Sequence, residues 1–474
     1  MLIGSHEGKN LNSSLGDSSR RRIVNVVLIV YILLILEGAL RKWAFPEFSQ
    51  LLYFIRDPFV AVVYAMAIAS GNWPRSSPWL AGALVLTLLG AIVAVLQVAL
   101  GFGNPQSPII YAAYGMRNYF FYIPLAFIIA ESFRLEDLAR LAGITLVFVI
   151  ASACLVTLQF YSPVDSPINL GSSDNPLLQF RGLGLTGETT RPMGFFTSDV
   201  GQKQLVLTSF AIVLAGWLGV FPRRPSFRVT LPLGTVAVLA CLAFSGSRGA
   251  VLGAALVLAA AFFVLVRGDS GASRGRLALV LTSIAVLGVA LGSLFFADGI
   301  AAFVVRWNTA YAGESAAFTG GIFGRAMYGF IDFTRLLGST PLLGYGIGMG
   351  GNAGWMFIAN SGGSAAGLGA ETDWARHMVD LGPILGMVFL VFRIGLVTAV
   401  ATRVLLSRNL LATLLFGYVV YELLLGQITG HGTINGYVWM FTGFTLAAAA
   451  GMNHGESRSE TSKPTLDRFP NLLR

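Results

Sequence analysis

The stretch WLAGALVLTLLGAIVAVLQVAL, residues 79–100, carries no charged side chain and is the clearest indication of the fold. A run of about 20 helical residues spans the hydrocarbon core of a bilayer, which is about 30 Å thick. Within lipid the backbone must satisfy its own hydrogen bonds, and a helix does this inside one segment. The stretch therefore predicts a transmembrane helix.

Apolar stretches of similar length recur along the chain, in which 55% of the residues are hydrophobic and only 12% are charged. Soluble domains carry about 25% charged residues, so this composition excludes an ordinary soluble globule. We predict an all-α, polytopic integral membrane protein with about twelve transmembrane helices. The predicted spans are residues 23–40, 51–70, 79–100, 108–130, 141–161, 204–220, 229–246, 249–266, 277–297, 381–402, 409–427 and 433–450.

The basic residues predict which side of the membrane each loop faces, because cytoplasmic loops are enriched in Lys and Arg. If the N-terminus is cytoplasmic, the inner segments hold most of the loop cations, whereas the short outer loops hold only Arg41 and Lys42. An even number of spans places the C-terminus on the same side. We therefore predict that both termini are cytoplasmic.

The composition outside the apolar stretches predicts how the chain is divided. Residues 1–22 are rich in polar residues, which predicts a disordered cytoplasmic tail. A single transmembrane domain follows over residues 23–450, and residues 451–474 form a cytoplasmic C-terminal tail. Two segments of this domain, residues 162–203 and 298–380, are predicted as long extracytoplasmic loops, and loops of such length are usually functional or disordered.

The second long loop contains two further patterns. Its apolar residues Met327, Phe330, Phe333 and Leu337 follow a helical spacing, which predicts an amphipathic helix at the outer interface. The glycine-rich run over residues 344–351 has no lysine and does not join a strand to a helix, so it does not fit a phosphate-binding loop. We predict a tight turn or a close-packed loop there.

Several arginines gather at the predicted outer membrane face. Charged groups at this depth are costly, which makes them functional candidates. The arginine fork suits phosphate, and a lipid pyrophosphate would place its head at this level. The candidates for pyrophosphate binding are Arg41, Arg117, Arg191, Arg248 and Arg325. The alternative is structural ion pairing, of Glu37 with Arg41 and of Arg56 with Asp57 and Glu422.

Polar residues are concentrated just before the span predicted at 381–402. This segment contains Glu371, Asp373, Arg376 and His377. An acid-x-acid pair could hold a metal ion, one acid could act as a general base, or the segment could simply cap a membrane helix. We expect neither a metal ion nor a cofactor.

Four stretches, in this order, resemble the O-antigen ligase/polymerase superfamily, whose members are membrane enzymes that handle lipid-linked glycans outside the inner membrane. The stretches are residues 191–196, residues 245–250, Arg325 followed by residues 341–348, and residues 371–386. Residues 37–43 are similar to a branch of exopolysaccharide polymerases. The resemblance implies a bacterial inner-membrane protein with a periplasmic active site and inverting glycosyl transfer from an undecaprenyl-pyrophosphate-linked glycan.

The resemblance also implies roles for individual residues. Arginines at the positions of Arg191 and Arg248 would hold the pyrophosphate and assist catalysis. The ligases keep a histidine nine residues before the acid of an acid-x-Gly pattern, whereas here Glu371 stands nine residues before Asp380. A carboxylate in place of histidine favours a polymerase, with Glu371 as the catalytic base. Asp373, Arg376 and His377 are secondary candidates.

The sequence therefore predicts an exopolysaccharide or O-antigen polymerase that transfers glycan to a hydroxyl of a lipid-linked repeat unit. One alternative is a ligase that transfers glycan to another acceptor, and the alternative outside this class is a transporter of lipid-linked glycans or other solutes. The implied partners are the undecaprenyl-pyrophosphate-linked glycan, membrane lipid, a chain-length regulator and a flippase. The net charge of +9 does not indicate nucleic acid, because the basic residues are not gathered into one patch.

Overall fold

The computed structural model describes residues 4–102, 108–169, 182–183, 189–222, 225–267, 271–317, 321–351, 370 and 372–451. These residues form a helical bundle with one antiparallel pair of short strands, β1 (Gly182–Leu183) and β2 (Thr189–Thr190). The α-helices are α1 (Gly4–Ala39), α2 (Ser49–Leu52), α3 (Asp57–Ala69), α4 (Pro78–Ala99), α5 (Pro108–Met116), α6 (Ile123–Ser132), α7 (Leu135–Tyr161), α8 (Asp199–Trp217), α9 (Pro225–Phe244), α10 (Arg248–Arg267), α11 (Gly271–Leu294), α12 (Ala297–Ala317), α13 (Gly321–Ile331), α14 (Asp373–Ser407), α15 (Leu410–Leu425) and α16 (Gly432–Ala450). The described residues also form π-helical turns at Leu40–Ala44 and Arg117–Phe121 and 3₁₀ helices at Pro46–Phe48 and Asp332–Leu336.

Among the described residues, seven helical stretches are long and apolar enough to cross a membrane. They are Asp17–Ala44, Pro46–Ala69, Pro78–Ala99, Leu135–Tyr161, Pro225–Phe244, Gly275–Leu294 and Asp373–Ser407. The stretches Arg248–Val264 and Leu410–Leu425 are also apolar but shorter. This architecture agrees with the predicted class, an all-α membrane protein.

Each of the twelve segments predicted as spans is largely helical. The fourth, residues 108–130, is not one regular helix, because the π turn at Arg117–Phe121 separates α5 from α6. The sixth and twelfth fall in α8 and α16, which are buried over almost their whole surface. Because other helices surround α8, it tolerates polar side chains such as Gln204, whose Oε1 accepts a hydrogen bond of 2.6 Å from Tyr418.

The N-terminal residues differ from the prediction of a disordered tail. Helix α1 begins at Gly4, and Arg20 near its middle is buried. The Arg20 guanidinium lies 2.6 Å from Asp137 and donates a 2.9 Å hydrogen bond to the carbonyl oxygen of Ser132. The prediction of disorder is therefore wrong for residues 17–22, because the polar composition does not reveal an ion pair with a distant helix.

Helix α16 occupies the interior of the bundle and packs closely against α6 and α15. A Cβ atom at Gly443 would lie 2.6 Å from the carbonyl oxygen of Ala126, so glycine permits the close approach of α16 to α6. Aromatic rings of α1 and α16 fill the neighbouring space, with the centroid of Tyr31 6.0 Å from those of Tyr437 and Phe441. The interior of the bundle is thus densely packed.

The second predicted loop, residues 298–380, is not a simple loop, because most of α12 and all of α13 lie within it. Helix α13 confirms the helical part of the predicted amphipathic segment, but it ends at Ile331, where a 3₁₀ helix takes over. The rings of Phe330 and Phe333 lie 5.2 and 6.0 Å from that of Trp374. Their apolar face therefore packs on the start of α14.

Candidate functional site

The connection between α15 and α16, residues 426–432, is the point at which several helix ends meet. The carbonyl oxygen of Gly426 accepts a 2.7 Å hydrogen bond from Arg393, and that of Gly432 accepts one of 3.3 Å from Arg56. Thr429 donates a 2.9 Å hydrogen bond to Asp373. The connection therefore joins the beginnings of α3, α14 and α16. We call the charged and polar groups around it the polar end.

Asp373 is the most heavily bonded acid of the polar end and is 2% exposed. Its carboxylate lies 2.5 Å from Arg393 and 3.1 Å from Arg376, both of them buried. His377 is one turn further along α14, where its Nε2 lies 3.1 Å from Arg393. The structure therefore brings the secondary candidates Asp373, Arg376 and His377 together. Asp373 therefore acts as a buried counter-ion for two arginines, and its role is not limited to capping a helix.

Asp380, the acid of the Asp-x-Gly pattern, fixes the glycine-rich run onto α14. Its Oδ1 accepts a 2.6 Å hydrogen bond from the Gly350 amide, and its Oδ2 accepts one of 3.0 Å from Tyr119. The Tyr119 hydroxyl also lies 3.2 Å from Nδ1 of His377. Asp380 is thus a buried acid that holds the glycine-rich run against α14.

The glycines of this region have a steric role. Gly344 and Gly348 have φ angles of 76° and 89°, which only glycine adopts readily. Gly382 breaks α14 with a φ of 78°, and a Cβ atom there would overlap the carbonyl oxygen of Leu342. The prediction of a close-packed loop is confirmed, and the glycine of the Asp-x-Gly pattern has a structural explanation.

Arg117 lies in the π turn, where its fork is occupied by an acid. Its Nε and Nη2 donate to the two carboxylate oxygens of Asp57 over 2.7 and 2.9 Å. Tyr122 donates to the same carboxylate over 2.6 Å, and the ring of Tyr53 lies 4.9 Å from the guanidinium carbon. A phosphate at Arg117 would have to displace this bidentate pair, so the geometry favours a structural role for this predicted ligand.

Glu37 bridges two arginines at the end of α1. It lies 3.3 Å from Arg41, which confirms the ion pair predicted from their spacing, and 2.9 Å from Arg56, which is fully buried. The predicted pairing of Arg56 with Asp57 and Glu422 is wrong, since these acids pair with Arg117 and with Lys203 instead. Helix packing, which spacing along the chain does not reveal, decides these partners.

Arg191 lies against residues 245–248, whose sequence is Ser-Gly-Ser-Arg. Its Nε donates to the carbonyl oxygen of Ser245 over 3.3 Å, and its Nη2 lies 2.7 Å from Asp199. Arg191 therefore has a buried acidic partner. The sequence does not indicate this partner, because Asp199 lies eight residues after Arg191, across the turn that begins α8.

Lys203 also belongs to the polar end. Lys203, on α8, lies 2.8 Å from the fully buried Glu422 and 5.0 Å from the ring centroid of Tyr421. A Cβ atom at Gly249 would lie 3.1 Å from the Tyr421 hydroxyl and 3.7 Å from Cδ of Lys203, so the backbone just after the half-buried Arg248 lies near Lys203.

The end of α1 contacts the turn that carries Arg191. Lys42 is buried, and its Nζ donates to the carbonyl oxygen of Gly194 over 3.0 Å. Neither Lys42 nor Lys203 was among the predicted site residues. Lys203 lay one residue before a predicted span, and Lys42 was used only for topology.

The 3₁₀ helix after α13 contributes one more ion pair at the start of α14. Asp332 is buried, accepts a hydrogen bond from Arg335 and accepts one of 3.2 Å from the Thr372 hydroxyl. The hydrogen bond that Arg335 donates to Asp332 raises the pKa of the Arg335 guanidinium above its usual range. This pair fastens the α13 region to the polar end.

Two predicted site residues are only partly or not at all described. Glu371, the predicted catalytic base, lies outside the described residues, although its neighbours Ala370 and Thr372 are described. The backbone of Arg325 belongs to α13, but its side chain lies outside the described part. In the part of the chain that the structure describes, no group of three or more His, Cys, Asp or Glu residues could hold a metal ion.

The charges of the polar end do not balance. Its described cations are Arg41, Lys42, Arg56, Arg117, Arg191, Lys203, Arg248, Arg335, Arg376 and Arg393, and its described acids are Glu37, Asp57, Asp199, Asp332, Asp373, Asp380 and Glu422. Among the buried members, the seven cations Arg41, Lys42, Arg56, Arg117, Arg191, Arg376 and Arg393 exceed the six acids Glu37, Asp199, Asp332, Asp373, Asp380 and Glu422 by one. A concentration of basic side chains at one end of the bundle favours an anionic ligand.

No protein-family model matches this chain, and no curated protein matches it.

Proposed function

We propose that this chain is a polysaccharide polymerase of the inner membrane, which transfers glycan from a lipid pyrophosphate to a hydroxyl of a lipid-linked repeat unit. Twelve helical segments cross the membrane in this proposal, with both termini cytoplasmic and the polar end periplasmic. The energy comes from the glycosyl-pyrophosphate bond, so the reaction requires no nucleotide outside the cytoplasm.

The observation that carries this proposal is the concentration of arginine and lysine side chains at one end of the bundle, which includes Arg191 and Arg248. A flippase must move a charged head through the bilayer and would need cations along its whole path, whereas these cations lie at one end. Hydrogen-bond donors that are already oriented commonly make the largest single contribution to the rate enhancement when a leaving group gains negative charge. Asp199 and Ser245 hold Arg191 in such a fixed orientation.

In the proposed mechanism the acceptor hydroxyl loses its proton to Glu371 and attacks the anomeric carbon with inversion. Arg191 and Arg248 stabilise the pyrophosphate as it leaves. Arg117 and Arg41 hold the helix ends in place through Asp57 and Glu37, and do not themselves bind substrate.

The test is glycan profiling of a deletion strain that carries single variants. Arg191→Lys and Arg248→Lys should leave single repeat units on lipid, because lysine keeps the charge but loses the two-pronged fork. Arg75→Lys is the matched control, because Arg75 is exposed and lies in a predicted cytoplasmic loop. Normal polymer from both outer variants would refute the pyrophosphate role.

The same profiles separate the alternatives. Finished polymer that stays on lipid in the deletion strain would indicate a ligase, and repeat units confined to the cytoplasmic leaflet would indicate a transporter. Reporter fusions test the topology: fusions after residues 75, 135, 225, 270, 405 and 465 should be cytoplasmic, and those after residues 175 and 350 should be external. A cytoplasmic reporter after residue 350 would place the polar end on the wrong side.

A further inference from the structure

Lys42, at the end of α1, is a buried cation that contacts no carboxylate among the described residues. It is 8% exposed. Its Nζ donates a 3.0 Å hydrogen bond to the carbonyl oxygen of Gly194 and lies 4.2 Å from the ring centroid of Trp43. A single carbonyl dipole and an aromatic face compensate only part of the cost of burying a charge. The ammonium group therefore favours an additional, anionic partner.

The buried arginines of the polar end differ from Lys42 in this respect. Each of the six has a carboxylate within 3.3 Å of its guanidinium. They are Arg41, Arg56, Arg117, Arg191, Arg376 and Arg393, and their partners are Glu37, Asp57, Asp199 and Asp373. In the described part of the polar end, a buried arginine is thus accompanied by an acid in contact, whereas the buried Lys42 is not.

The turn at Gly194 fixes Lys42 relative to Arg191. Oε1 of Gln159 accepts hydrogen bonds of 3.0 and 2.8 Å from the amides of Met193 and Gly194, and its Nε2 donates one of 3.3 Å to the Gly194 carbonyl. Arg191 precedes Gly194 by three residues, which span at most about 11 Å. The Lys42 ammonium therefore lies near the backbone that carries Arg191, on a turn that is already held in place.

We propose that Lys42 binds a phosphate group of the lipid pyrophosphate beside Arg191, an inference that rests on the proposed function. An ammonium group has three donors, of which the Gly194 carbonyl accepts one, and a phosphate oxygen is a strong acceptor for such a group. The charge of Arg191 is matched by Asp199, so Arg191 mainly orients the ligand. Lys42 supplies the positive charge that no described acid matches.

Lys42→Met tests this role, because methionine has a similar length and no charge. Without ligand, the full-length variant should unfold at the wild-type temperature or above, since the substitution removes a buried charge. Its affinity for radiolabelled polyprenyl pyrophosphate in phosphatidylethanolamine vesicles should fall about tenfold to a hundredfold, as expected for loss of a charge-assisted hydrogen bond. Lys42→Arg keeps the charge and should recover part of the affinity.

Two control variants separate charge from support of the turn. Gln159→Met removes an uncharged donor to the same carbonyl and should lower the unfolding temperature, because it also leaves two backbone amides without their acceptor. Arg22→Met removes a positive charge from the exposed surface at the other end of α1 and should leave the affinity unchanged. A Lys42→Met protein that unfolds early, as Gln159→Met should, yet binds the probe normally would overturn the proposal, since Lys42 would then only support the turn.

Three further outcomes would also overturn the proposal. Equal binding of the probe by the wild type and by well-folded Lys42→Met, while Arg191→Lys loses it, would remove Lys42 from the site and leave the proposed function standing. Displacement of the probe by phosphatidylglycerol as effectively as by unlabelled polyprenyl pyrophosphate would assign Lys42 to ordinary anionic lipid. Failure of the proposed function itself has a different signature, namely full polymer in the deletion strain and no binding of the probe by the wild type.

Discussion

Replacing Asp373 with asparagine should destabilise the protein, although the two side chains have nearly the same shape. The substitution removes the negative charge that lies between two buried guanidinium groups, 2.5 Å from Arg393 and 3.1 Å from Arg376. A simple helix-capping role would predict almost no effect, since asparagine caps helices as well as aspartate does.

The expected magnitude follows from these contacts. Each hydrogen bond between a charged donor and a charged acceptor contributes about 1.5–3 kcal/mol, and Asp373 receives such a bond from each of the two arginines. Removal of one partner from a buried ion pair costs about 3–5 kcal/mol, because the remaining charge is left without compensation. We therefore expect Asp373→Asn to lower the free energy of unfolding by about 3–5 kcal/mol.

The assay is thermal unfolding in detergent micelles, followed together with the amount of protein inserted in the membrane. Asp165→Asn is the control, because Asp165 is exposed and surface changes usually alter stability by less than about 0.5 kcal/mol. Adding Arg393→Gln to Asp373→Asn should recover part of the loss, since it removes one of the stranded charges. Unfolding of Asp373→Asn at the wild-type temperature would refute the buried counter-ion role.

Further substitutions test the proposed base, the π turn and the break in α14. Glu371→Gln should lower polymerisation at least about a hundredfold at unchanged protein level, as expected for loss of a general base, which glycan profiling would show. Arg117→Lys should lower the free energy of unfolding by about 1.5–3 kcal/mol, because lysine cannot reproduce the bidentate bond to Asp57. Gly382→Ala should lower it by at least about 1–3 kcal/mol, since the left-handed backbone disfavours a side chain and Leu342 leaves no space. Thermal unfolding measures both stability effects.

Each of these variants has a control. Glu47→Gln changes an exposed acid near the polar end and should leave polymerisation unchanged. Arg75→Lys should not alter unfolding. Gly143→Ala lies within α7 with open space around the new methyl group, and should stabilise the protein by about 0.5–1 kcal/mol. Full turnover by Glu371→Gln would shift the base role to another acid, and stable Arg117→Lys or Gly382→Ala proteins would contradict the packing described here.

Local patterns in the sequence predicted those features that depend on neighbouring residues. The length of the apolar runs located the helices, because both helical rise and bilayer thickness are fixed quantities. The four-residue spacing of Glu37 and Arg41 predicted their ion pair, because residues at this spacing share one helix face. The glycine-rich run was recognised as a close-packed loop because it lacked the lysine of a phosphate-binding loop.

Contacts between distant helices could not be predicted in this way. The pairing of Lys203 with Glu422 depends on how α8 and α15 are rotated about their axes, and hydrophobic patterns indicate little about α8 because it is buried on all sides. Arg56 was assigned to the wrong acids for the same reason. The break at Gly382 was also missed, although the Gly382-Pro383 pair is a turn signal, because apolar residues continue on both sides of it.

In the π turn at Arg117–Phe121, the number of residues matters as much for the contacts as their identity. Arg117 and Tyr119 are two positions apart, yet one reaches Asp57 of α3 and the other reaches Asp380 of α14. A π turn arises when one extra residue is accommodated in a helix, and deleting a residue here would rotate everything beyond it by about 100°. One of the two contacts would then be lost whatever the side chains. Substitutions in this turn should therefore be better tolerated during evolution than insertions or deletions.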